Sequence, residues 1–217
     1  MMDKLSVALV LVGIMGIFAF VMGNKITGTI VCFGDSITHG AKVNGHSWVY
    51  LLSKEHEGAN FVNEGRNGRK TADREEILPV IRRYKTADMF LIFLGVNDLK
   101  DGNDSMVADC IRNMKWMIGK IRDLDHGAKI VILSPSEISV KSMSPLNFRK
   151  KYNANTERCL IALDRGYRRL AKEESVGFIS LLRVVSPANY VDGLHPNEAG
   201  QQQIADAIWR GLNRPAK

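Results

Sequence analysis

Cysteine is scarce in this 217-residue chain, and its spacing excludes two classes of protein. The three cysteines, Cys32, Cys110 and Cys159, are an odd number and form no C-x-x-C or Cys/His ligand spacing. A disulfide framework or a zinc site needs such pairs, so neither is predicted. Each cysteine lies in an apolar, periodic stretch, and we expect all three to be small core residues.

Internal repeats, low-complexity stretches and changes of composition are also lacking. Apolar residues make up 45% of the chain and charged residues 24%, which allows a substantial core and does not indicate disorder. One domain is the default at this length, and we place it at residues 24–217.

The basic residues lack the interleaved aromatic side chains of a nucleic-acid platform. The formal net charge is +7, but Lys and Arg are scattered along amphipathic segments, as in Arg82-Arg83 and Arg168-Arg169. Such residues are typical of solvated helix faces, so no nucleic-acid partner is predicted.

Charge is absent from residues 5–23, an apolar run of 19 residues. This length approaches the roughly 20 apolar residues that span a bilayer as a helix. Residues 1–23 are therefore predicted to be a transmembrane anchor, or a signal peptide if the segment is cleaved after the weakly fitting Val21-Met22-Gly23. We expect membrane association through this N-terminal hydrophobic helix and an extracytoplasmic location for the domain that follows, which would be secreted if the segment is cleaved.

After this segment, short apolar runs alternate with stretches of helical spacing. Five runs are predicted to be buried strands: 29–33, 60–62, 89–94, 129–133 and 176–181. Three helices are predicted at 104–124, at 147–174 with Tyr152 on its buried side, and at 197–212 with Ala199, Ile204, Ile208 and Leu212 buried. The alternation predicts an α/β fold, a three-layer α/β/α domain around a five-stranded parallel sheet.

Segments rich in small and polar residues follow four of the predicted strands, three of them directly and the last some residues beyond the fifth strand. These segments are Gly34-Asp35-Ser36, "NEGRNGRKT" at 63–71, "GVND" at 95–98, and "YVDGLHPNEAG" at 190–200. Open α/β sheets bind ligands at the carboxyl ends of their strands, so we expect these segments to meet at one edge.

The last segment holds Asp192 and His195, three residues apart in a glycine-containing turn. This spacing allows the carboxylate to reach the imidazole Nδ1 and leaves Nε2 free, which is the acid–base half of a catalytic triad. Taken singly, Asp192 is equally typical of a helix N-cap, His195 of a surface histidine and Ser36 of a turn.

Together, the four segments resemble the four sequence blocks of the SGNH (GDSL) hydrolase family. The matching residues are Gly34-Asp35-Ser36, Asn63 with Gly68, Gly95-x-Asn97-Asp98, and Asp192-x-x-His195-Pro196, in that order along residues 29–210. Ile37 stands where Leu is typical. Within the family the chain is similar to small arylesterase, thioesterase and lysophospholipase members, and the resemblance implies a flavodoxin-like sheet.

The resemblance also implies a role for each matching residue. Ser36 would be the nucleophile, His195 the general base and Asp192 its orienting partner. The oxyanion hole would consist of the Ser36 and Gly68 backbone N–H groups and the Asn97 side-chain amide. No metal or organic cofactor is implied, and Asp35 is interpreted as a structural residue that ties the turn.

The implied function is a serine ester hydrolase that cleaves carboxylic esters or thioesters through an acyl-enzyme. Its substrate would be a small-molecule, lipid or glycan ester, and the oligomeric state is open. Alternatives are a polysaccharide O-acetylesterase of the same family and a non-catalytic carbohydrate- or lipid-binding module on this fold. A nucleophile elbow of the G-x-S-x-G type is absent around Ser36, and no G-x-G-x-x-G or P-loop follows the first strand.

Overall fold

A computed structural model describes residues 26–125 and 127–214 of the chain. The predicted anchor or signal peptide at residues 1–23 lies outside the described residues. Within the described ranges, no helix has the length and apolar character needed to cross a membrane.

Five parallel strands form one sheet, which confirms the predicted fold class. They are β1 (Gly28–Gly34), β2 (Ala59–Gly65), β3 (Met89–Phe93), β4 (Lys129–Leu133) and β5 (Gly177–Ile179). Their order across the sheet is β2-β1-β3-β4-β5, so β1 lies between β2 and β3. The carboxyl ends of β1, β2 and β3 are therefore neighbours at one edge, where the predicted site segments begin.

Seven α-helices connect or follow these strands within the described part of the chain. They are α1 (Ser36–His39), α2 (Trp48–Glu55), α3 (Ile77–Arg83), α4 (Asp104–Leu124), α5 (Pro145–Arg149), α6 (Ala154–Glu173) and α7 (Glu198–Leu212). A 3₁₀ helix at Thr71–Glu76 precedes α3. The prediction for residues 104–124 is confirmed, and the Asn103 side chain begins α4 by accepting a hydrogen bond from the Met106 N–H.

Each strand divides its side chains between two buried clusters, because successive residues point to opposite faces of a sheet. Val31 and Phe33 of β1 pack in one cluster with residues of α3, α4 and α6. Ile30 and Cys32 pack in the other with residues of α2 and α7. Helices thus cover both faces of the sheet, as the sequence predicts, and Cys32, Cys110 and Cys159 are all buried and free.

The helix predicted at 147–174 is wrong in its first part, since α5 and α6 are separate helices. Lys151 adopts a left-handed backbone conformation with φ +67°, and the Asn153 side chain then caps α6 by accepting from the Asn155 and Thr156 N–H groups. Tyr152 lies in the break between the helices, not on the buried side of a continuous one. In α7 the prediction of a buried Ala199 is also wrong, because this residue is exposed and the buried positions include Ile204 and Ile208.

Gln201 of α7 joins the elements on either side of the site. Its side chain is fully buried; its Oε1 accepts from the Trp48 N–H at 2.9 Å and its Nε2 donates to the Ile37 carbonyl at 3.3 Å. A buried amide satisfies both the start of α2 and the short helix α1 in this way. Helix α7 is thereby fixed against the residue that follows Ser36.

Candidate functional site

Ser36 is the first residue of α1 and follows β1 after a single intervening residue, Asp35. The Asp35 carboxylate accepts a hydrogen bond from the Ile37 N–H at 2.9 Å and so caps the helix, which confirms its structural interpretation. The first N–H groups of a helix have no partner inside it, so the Ser36 N–H is directed away from α1. The strand-to-helix turn thus presents both the Ser36 hydroxyl and its N–H at the sheet edge.

Ser36, His195 and Asp192 form one hydrogen-bonded chain. The Ser36 Oγ lies 3.0 Å from His195 Nε2, and His195 Nδ1 lies 2.9 Å and 3.1 Å from the two Asp192 carboxylate oxygens. The structure therefore brings together three residues that the sequence separates by up to 159 positions. This connectivity is the one that activation of a hydroxyl by a neighbouring imidazole requires.

Asp192 is held in its ionised form by several donors. Partial burial alone would raise the pKa of this carboxyl. Hydrogen bonds from the His195 side chain and from the His195 and Leu194 N–H groups outweigh that burial and hold the pKa well below its usual range. The carboxylate is thus available to accept from His195 Nδ1 at any pH near neutrality.

The segment 134–146 packs against the Asp192 turn and holds it in place with backbone hydrogen bonds. The course of this segment cannot be predicted from the sequence. The Ser139 and Ser144 N–H groups donate to the Gly193 and Asp192 carbonyls at 2.7 Å and 3.1 Å. Gly193 has φ +79°, and a Cβ there would lie 2.6 Å from the Met143 Cα, so only glycine fits this close approach.

Gly68 lies in an exposed turn after β2 and has φ +75°. The next residue, Arg69, is buried, and its Nη1 donates to the Gly34 and Glu64 carbonyls while its Nε donates to Glu76. Among the described residues, no acceptor faces the Gly68 N–H. The buried guanidinium therefore anchors a turn in which the neighbouring Gly68 N–H has no partner among residues 26–125 and 127–214.

Asn97 is buried, and its side chain joins three segments of the site. Its Oδ1 accepts from the Tyr152 hydroxyl at 2.7 Å, and its Nδ2 donates to the Arg69 carbonyl at 3.1 Å and approaches the Asp35 Oδ2 at 3.5 Å. Because a backbone carbonyl can only accept, the contact with Arg69 fixes which end of the amide is the nitrogen. Tyr152 and Arg69 thus orient the amide that the sequence singles out.

Asp98 and Asn63 have structural contacts that keep the loops of the site in place. The Asp98 carboxylate accepts from the Thr71 N–H at 2.9 Å and from the Thr71 hydroxyl at 2.7 Å, and so ties the β3 loop to the β2 loop. The Asn63 amide donates to the Thr38 carbonyl at the end of α1. Neither residue lines the cavity that contains Ser36.

A cavity of about 250 Å³ opens beside Ser36 and His195. Gly68, Asn97 and Tyr152 line it, together with the small or apolar side chains of Ala41 and Leu194 and with Asn67, Lys100, Asn147 and Lys150. A larger groove of about 710 Å³ lies between the Thr71–Glu76 helix and α4, but neither Ser36 nor His195 lines it. The smaller cavity is therefore the candidate active site.

Besides the predicted site residues Ser36, Gly68, Asn97 and His195, the cavity has seven lining residues that the sequence does not indicate as site residues. Tyr152 fits a core position of the predicted 147–174 helix, and nothing in its spacing indicates a contact with Asn97. Lys100, Asn147 and Lys150 belong to solvent-facing patterns. Arg69 and Asp98, which support the cavity, lie within the segments "NEGRNGRKT" and "GVND", and Asp98 is one of the residues that carry the family resemblance.

The fold is of the α/β class, with the candidate functional groups on the carboxyl edge of a parallel sheet. The sequence profile of the GDSL-like lipase/acylhydrolase family matches residues 32–203. The chain belongs to this family, which confirms the resemblance to SGNH (GDSL) hydrolases. No curated protein matches the chain.

Solved structures of similar fold include several esterases. A carbohydrate acetylesterase family member from Sinorhizobium meliloti is 23% identical over 86% of this chain and 96% of that one, with a TM-score of 0.71. The aryl esterase of M. smegmatis is 21% identical over 85% and 100%, with a TM-score of 0.72. A catalytic variant of an acetylxylan esterase from Geobacillus stearothermophilus is 18% identical over 88% and 97%, with a TM-score of 0.64. At these identities the likeness establishes a shared fold.

Asp35 makes the stability of this site dependent on pH. Burial raises the pKa of its carboxyl from 3.8 to about 7, against the hydrogen bond from Ile37 and the charge of His195. The unfolded carboxyl ionises near pH 4 while the folded one retains its proton, so the folded state loses stability as the pH rises from about 4 through about 7. Asp35→Asn keeps an acceptor for the Ile37 N–H and removes this loss.

We therefore compare the free energy of unfolding of Asp35→Asn with that of the unsubstituted protein at pH 5 and at pH 8. The difference, variant minus unsubstituted protein, should be about 2 kcal/mol more favourable to the variant at pH 8 than at pH 5. The measurement is denaturant unfolding of both proteins at the two pH values. Asp101→Asn is the control, since hydrogen bonds from Asn155 and Asn153 lower the pKa of that exposed carboxyl and it stays ionised throughout this range. A difference for Asp35→Asn that is the same at both pH values would contradict the raised pKa.

Proposed function

We propose that the protein is a serine esterase that hydrolyses carboxylic esters through an acyl-enzyme on Ser36. The observation that carries the proposal is the hydrogen-bonded chain from the Ser36 Oγ through His195 to Asp192, at the opening of a cavity. Membership in the GDSL-like family supports hydrolysis as the reaction type.

In the first half-reaction the Ser36 Oγ attacks the ester carbonyl carbon while His195 Nε2 takes the hydroxyl proton. Asp192 accepts the hydrogen bond from Nδ1–H, which holds the ring in the required tautomer and stabilises the imidazolium that forms. The tetrahedral intermediate collapses, the bond between carbonyl carbon and alcohol oxygen breaks, and His195 gives its proton to the leaving alcohol.

Three donors would hold the oxygen that becomes negative in this intermediate. The Ser36 N–H at the start of α1 and the Gly68 N–H, which has no acceptor in the part of the chain that the structure describes, supply two of them. The third is the Asn97 amide, because one of its N–H groups is held by the Arg69 carbonyl and the other makes only the long 3.5 Å contact with Asp35. Such pre-positioned donors act on charge that develops in the transition state.

In the second half-reaction a water molecule attacks the acyl carbon bound to Ser36. His195 Nε2 removes a proton from the water, the second tetrahedral intermediate collapses, and the Ser36 oxygen regains its proton as the carboxylic acid leaves. The same three donors and the same histidine thus serve both halves of the cycle.

A more specific candidate within this reaction is the removal of short acyl groups, as in a polysaccharide O-acetylesterase. The cavity beside Ser36 is about 250 Å³, which is below the size of usual drug-sized ligand sites. A short acyl group fits such a space, whereas a long chain would extend into solvent. Two of the solved structures of similar fold are described as a carbohydrate acetylesterase family member and an acetylxylan esterase.

Ser36→Ala and His195→Ala are each predicted to lower kcat by about 10⁴-fold or more, because either change removes the activated nucleophile. The double variant should be hardly worse than either single variant, since the two residues act as a unit. The measurement is steady-state hydrolysis of p-nitrophenyl acetate by the three proteins.

Two controls separate this result from a general loss of structure. Ser105→Ala and His56→Ala change residues outside the cavity and should keep full activity. A fluorophosphonate probe should label Ser36 in the unsubstituted protein and nothing in Ser36→Ala. Additive losses in the double variant, or labelling at another serine, would refute the proposed nucleophile.

Asn97→Ala is predicted to lower kcat by about 10²- to 10³-fold with little change in KM, as the loss of one oxyanion donor does in general. Asn97→Asp should be worse than alanine, because a carboxylate there repels the developing negative charge. Near-normal turnover in Asn97→Asp, measured per folded molecule, would show that the amide has only a structural role.

Tyr152→Phe tests the Asn97 donor indirectly, through the hydroxyl that orients the Asn97 amide. We predict that kcat falls by about tenfold and that KM changes little. The substitution leaves the ring in place and removes only the hydroxyl that fixes the Asn97 Oδ1. Tyr167→Phe is the matched control, since that buried hydroxyl donates to the Leu94 carbonyl and does not contact Asn97. Equal effects of the two substitutions on kcat would mean that Tyr152 contributes only to packing.

The size of the cavity predicts a preference for short acyl chains. In a series of p-nitrophenyl esters, kcat/KM should be highest for acetyl or propionyl and fall by about tenfold or more at octanoyl, because a long chain loses conformational freedom where it leaves the small cavity and its added methylenes gain no buried surface in return. A rise in kcat/KM with chain length would indicate a lipase-type substrate and overturn the short-acyl candidate.

A further inference from the structure

Two lysines lie at the mouth of the cavity that contains Ser36. Lys100 follows the β3 segment that carries Asn97, and Lys150 follows the last residue of α5; both line the cavity. Lys100 is half-buried and Lys150 is exposed, so both side chains reach the solvent-facing part of the site. A substrate bound beside Ser36 therefore occupies a cavity whose lining includes two positively charged side chains.

The two segments that carry these lysines are fastened to each other. The Asp101 N–H donates to the Lys151 carbonyl at 2.7 Å, and the Tyr152 hydroxyl donates to the Asn97 Oδ1 at 2.7 Å. Lys100 precedes Asp101 in the sequence and Lys150 precedes Lys151, so the backbone hydrogen bond between Asp101 and Lys151 holds the two lysine positions close to each other. The positions of Lys100 and Lys150 at one opening are thus built into the loop structure.

Positive charge is in excess at this opening. Burial lowers the pKa of Lys100, and the charges of Lys70 and Lys150 lower it further, while Asp98 opposes them with a smaller effect. The Lys100 Nζ lies 5.4 Å from the centroid of the Tyr152 ring. Burial and the two nearby lysines thus disfavour the charged form of Lys100, and an anion close to the ammonium groups would relieve the repulsion between them.

The carboxylates of the adjoining loops already have other partners. Asp98 accepts from the Thr71 N–H and hydroxyl, and Asp101 accepts from the Asn153 and Asn155 amides. Within residues 26–125 and 127–214, neither Lys100 nor Lys150 forms a salt bridge, whereas Arg66, Arg83 and Arg122 on other surfaces each do.

We propose that the ester substrate carries an anionic group on its alcohol portion, and that this group binds between Lys100 and Lys150 while the acyl group lies beside Ser36. The inference rests on the proposed ester hydrolysis and adds the class of substrate. The acyl group occupies the small cavity, so the alcohol portion extends through the opening where the lysines lie. A carboxylate and a phosphate share the required charge, and the test below distinguishes them.

The test compares acetyl esters that differ in charge on the alcohol side. The substrates are the acetyl esters of 4-hydroxybenzoate, of 4-hydroxyphenyl phosphate and of the neutral 4-hydroxybenzamide. For each anionic ester, the ratio of its kcat/KM to that of the neutral ester is measured in the unsubstituted protein and in Lys100→Gln/Lys150→Gln. Comparing the ratios between proteins cancels the different reactivities of the leaving groups.

We expect the double substitution to lower this ratio by about tenfold for at least one anionic ester, as the loss of charge-assisted contacts implies. The ratio in the unsubstituted protein should also fall as the salt concentration rises. Lys129→Gln is the control, because Lys129 is exposed at the amino end of β4, the opposite edge of the sheet, and its substitution should leave the ratio unchanged. The ester with the larger loss identifies carboxylate or phosphate as the recognised group.

A second measurement does not depend on turnover. Ser36→Ala protein is titrated with the unhydrolysed acetyl ester of 4-hydroxybenzoate and with that of 4-hydroxyphenyl phosphate, and binding is followed by NMR. The dissociation constant of the recognised ester should rise by about tenfold when Lys100→Gln/Lys150→Gln is added. Unchanged ratios or unchanged dissociation constants for both anionic esters would overturn the lysine site. Failure of the unsubstituted protein to hydrolyse any of the three esters would instead refute the proposed function, and the titration would still decide the site.

Discussion

The buried side chain of Asn97 is the junction on which the arrangement of the site depends. Its amide contacts the Tyr152 hydroxyl, the Arg69 carbonyl and, at longer range, the Asp35 carboxyl, which belong to the α5–α6 break, the β2 loop and the start of α1. A buried amide is costly unless its polar atoms are paired, so these loops are stable only in the arrangement that pairs it. The same contacts that satisfy Asn97 therefore position the groups around Ser36.

The strand order explains how residues distant in sequence reach this junction. Because β1 lies between β2 and β3, the segments with Ser36, Gly68 and Asn97 begin side by side at one sheet edge. His195 follows β5, which lies at the other side of the sheet, so the chain between Ile179 and His195 must run back along the carboxyl edge towards β1. That path is fixed by the close packing of Gly193 on Ser139 and Met143, where no side chain fits. Parallel topology supplies three of the four segments, and a glycine-dependent turn supplies the fourth.

Hydrophobic periodicity was sufficient to predict the sheet, α4 and the meeting of the strand ends, because each strand supplies alternate residues to two buried clusters. It was not sufficient at residues 147–174, where Tyr152 has the spacing of a helix but turns inward to Asn97. That choice depends on a hydrogen bond between residues 55 positions apart. Local spacing carries no information about such a contact. The pairing of Lys100 with Lys150 cannot be predicted from spacing for the same reason, since the neighbours of an exposed lysine depend on how the loops fold.

The two carboxyl groups of the site differ in charge because their surroundings differ. Asp192 accepts hydrogen bonds from two backbone N–H groups and the imidazole, so it remains ionised and can orient His195. Asp35 accepts one backbone N–H in a fully buried position, and its pKa rises to about 7. An ionised Asp35 beside the Asn97 amide would compete for that donor and repel an oxyanion held there. In the proposed mechanism, Asp35 therefore has a second role besides capping α1. Because burial keeps its carboxyl protonated below about pH 7, no negative charge lies beside the Asn97 amide, the one side-chain donor assigned to the oxyanion.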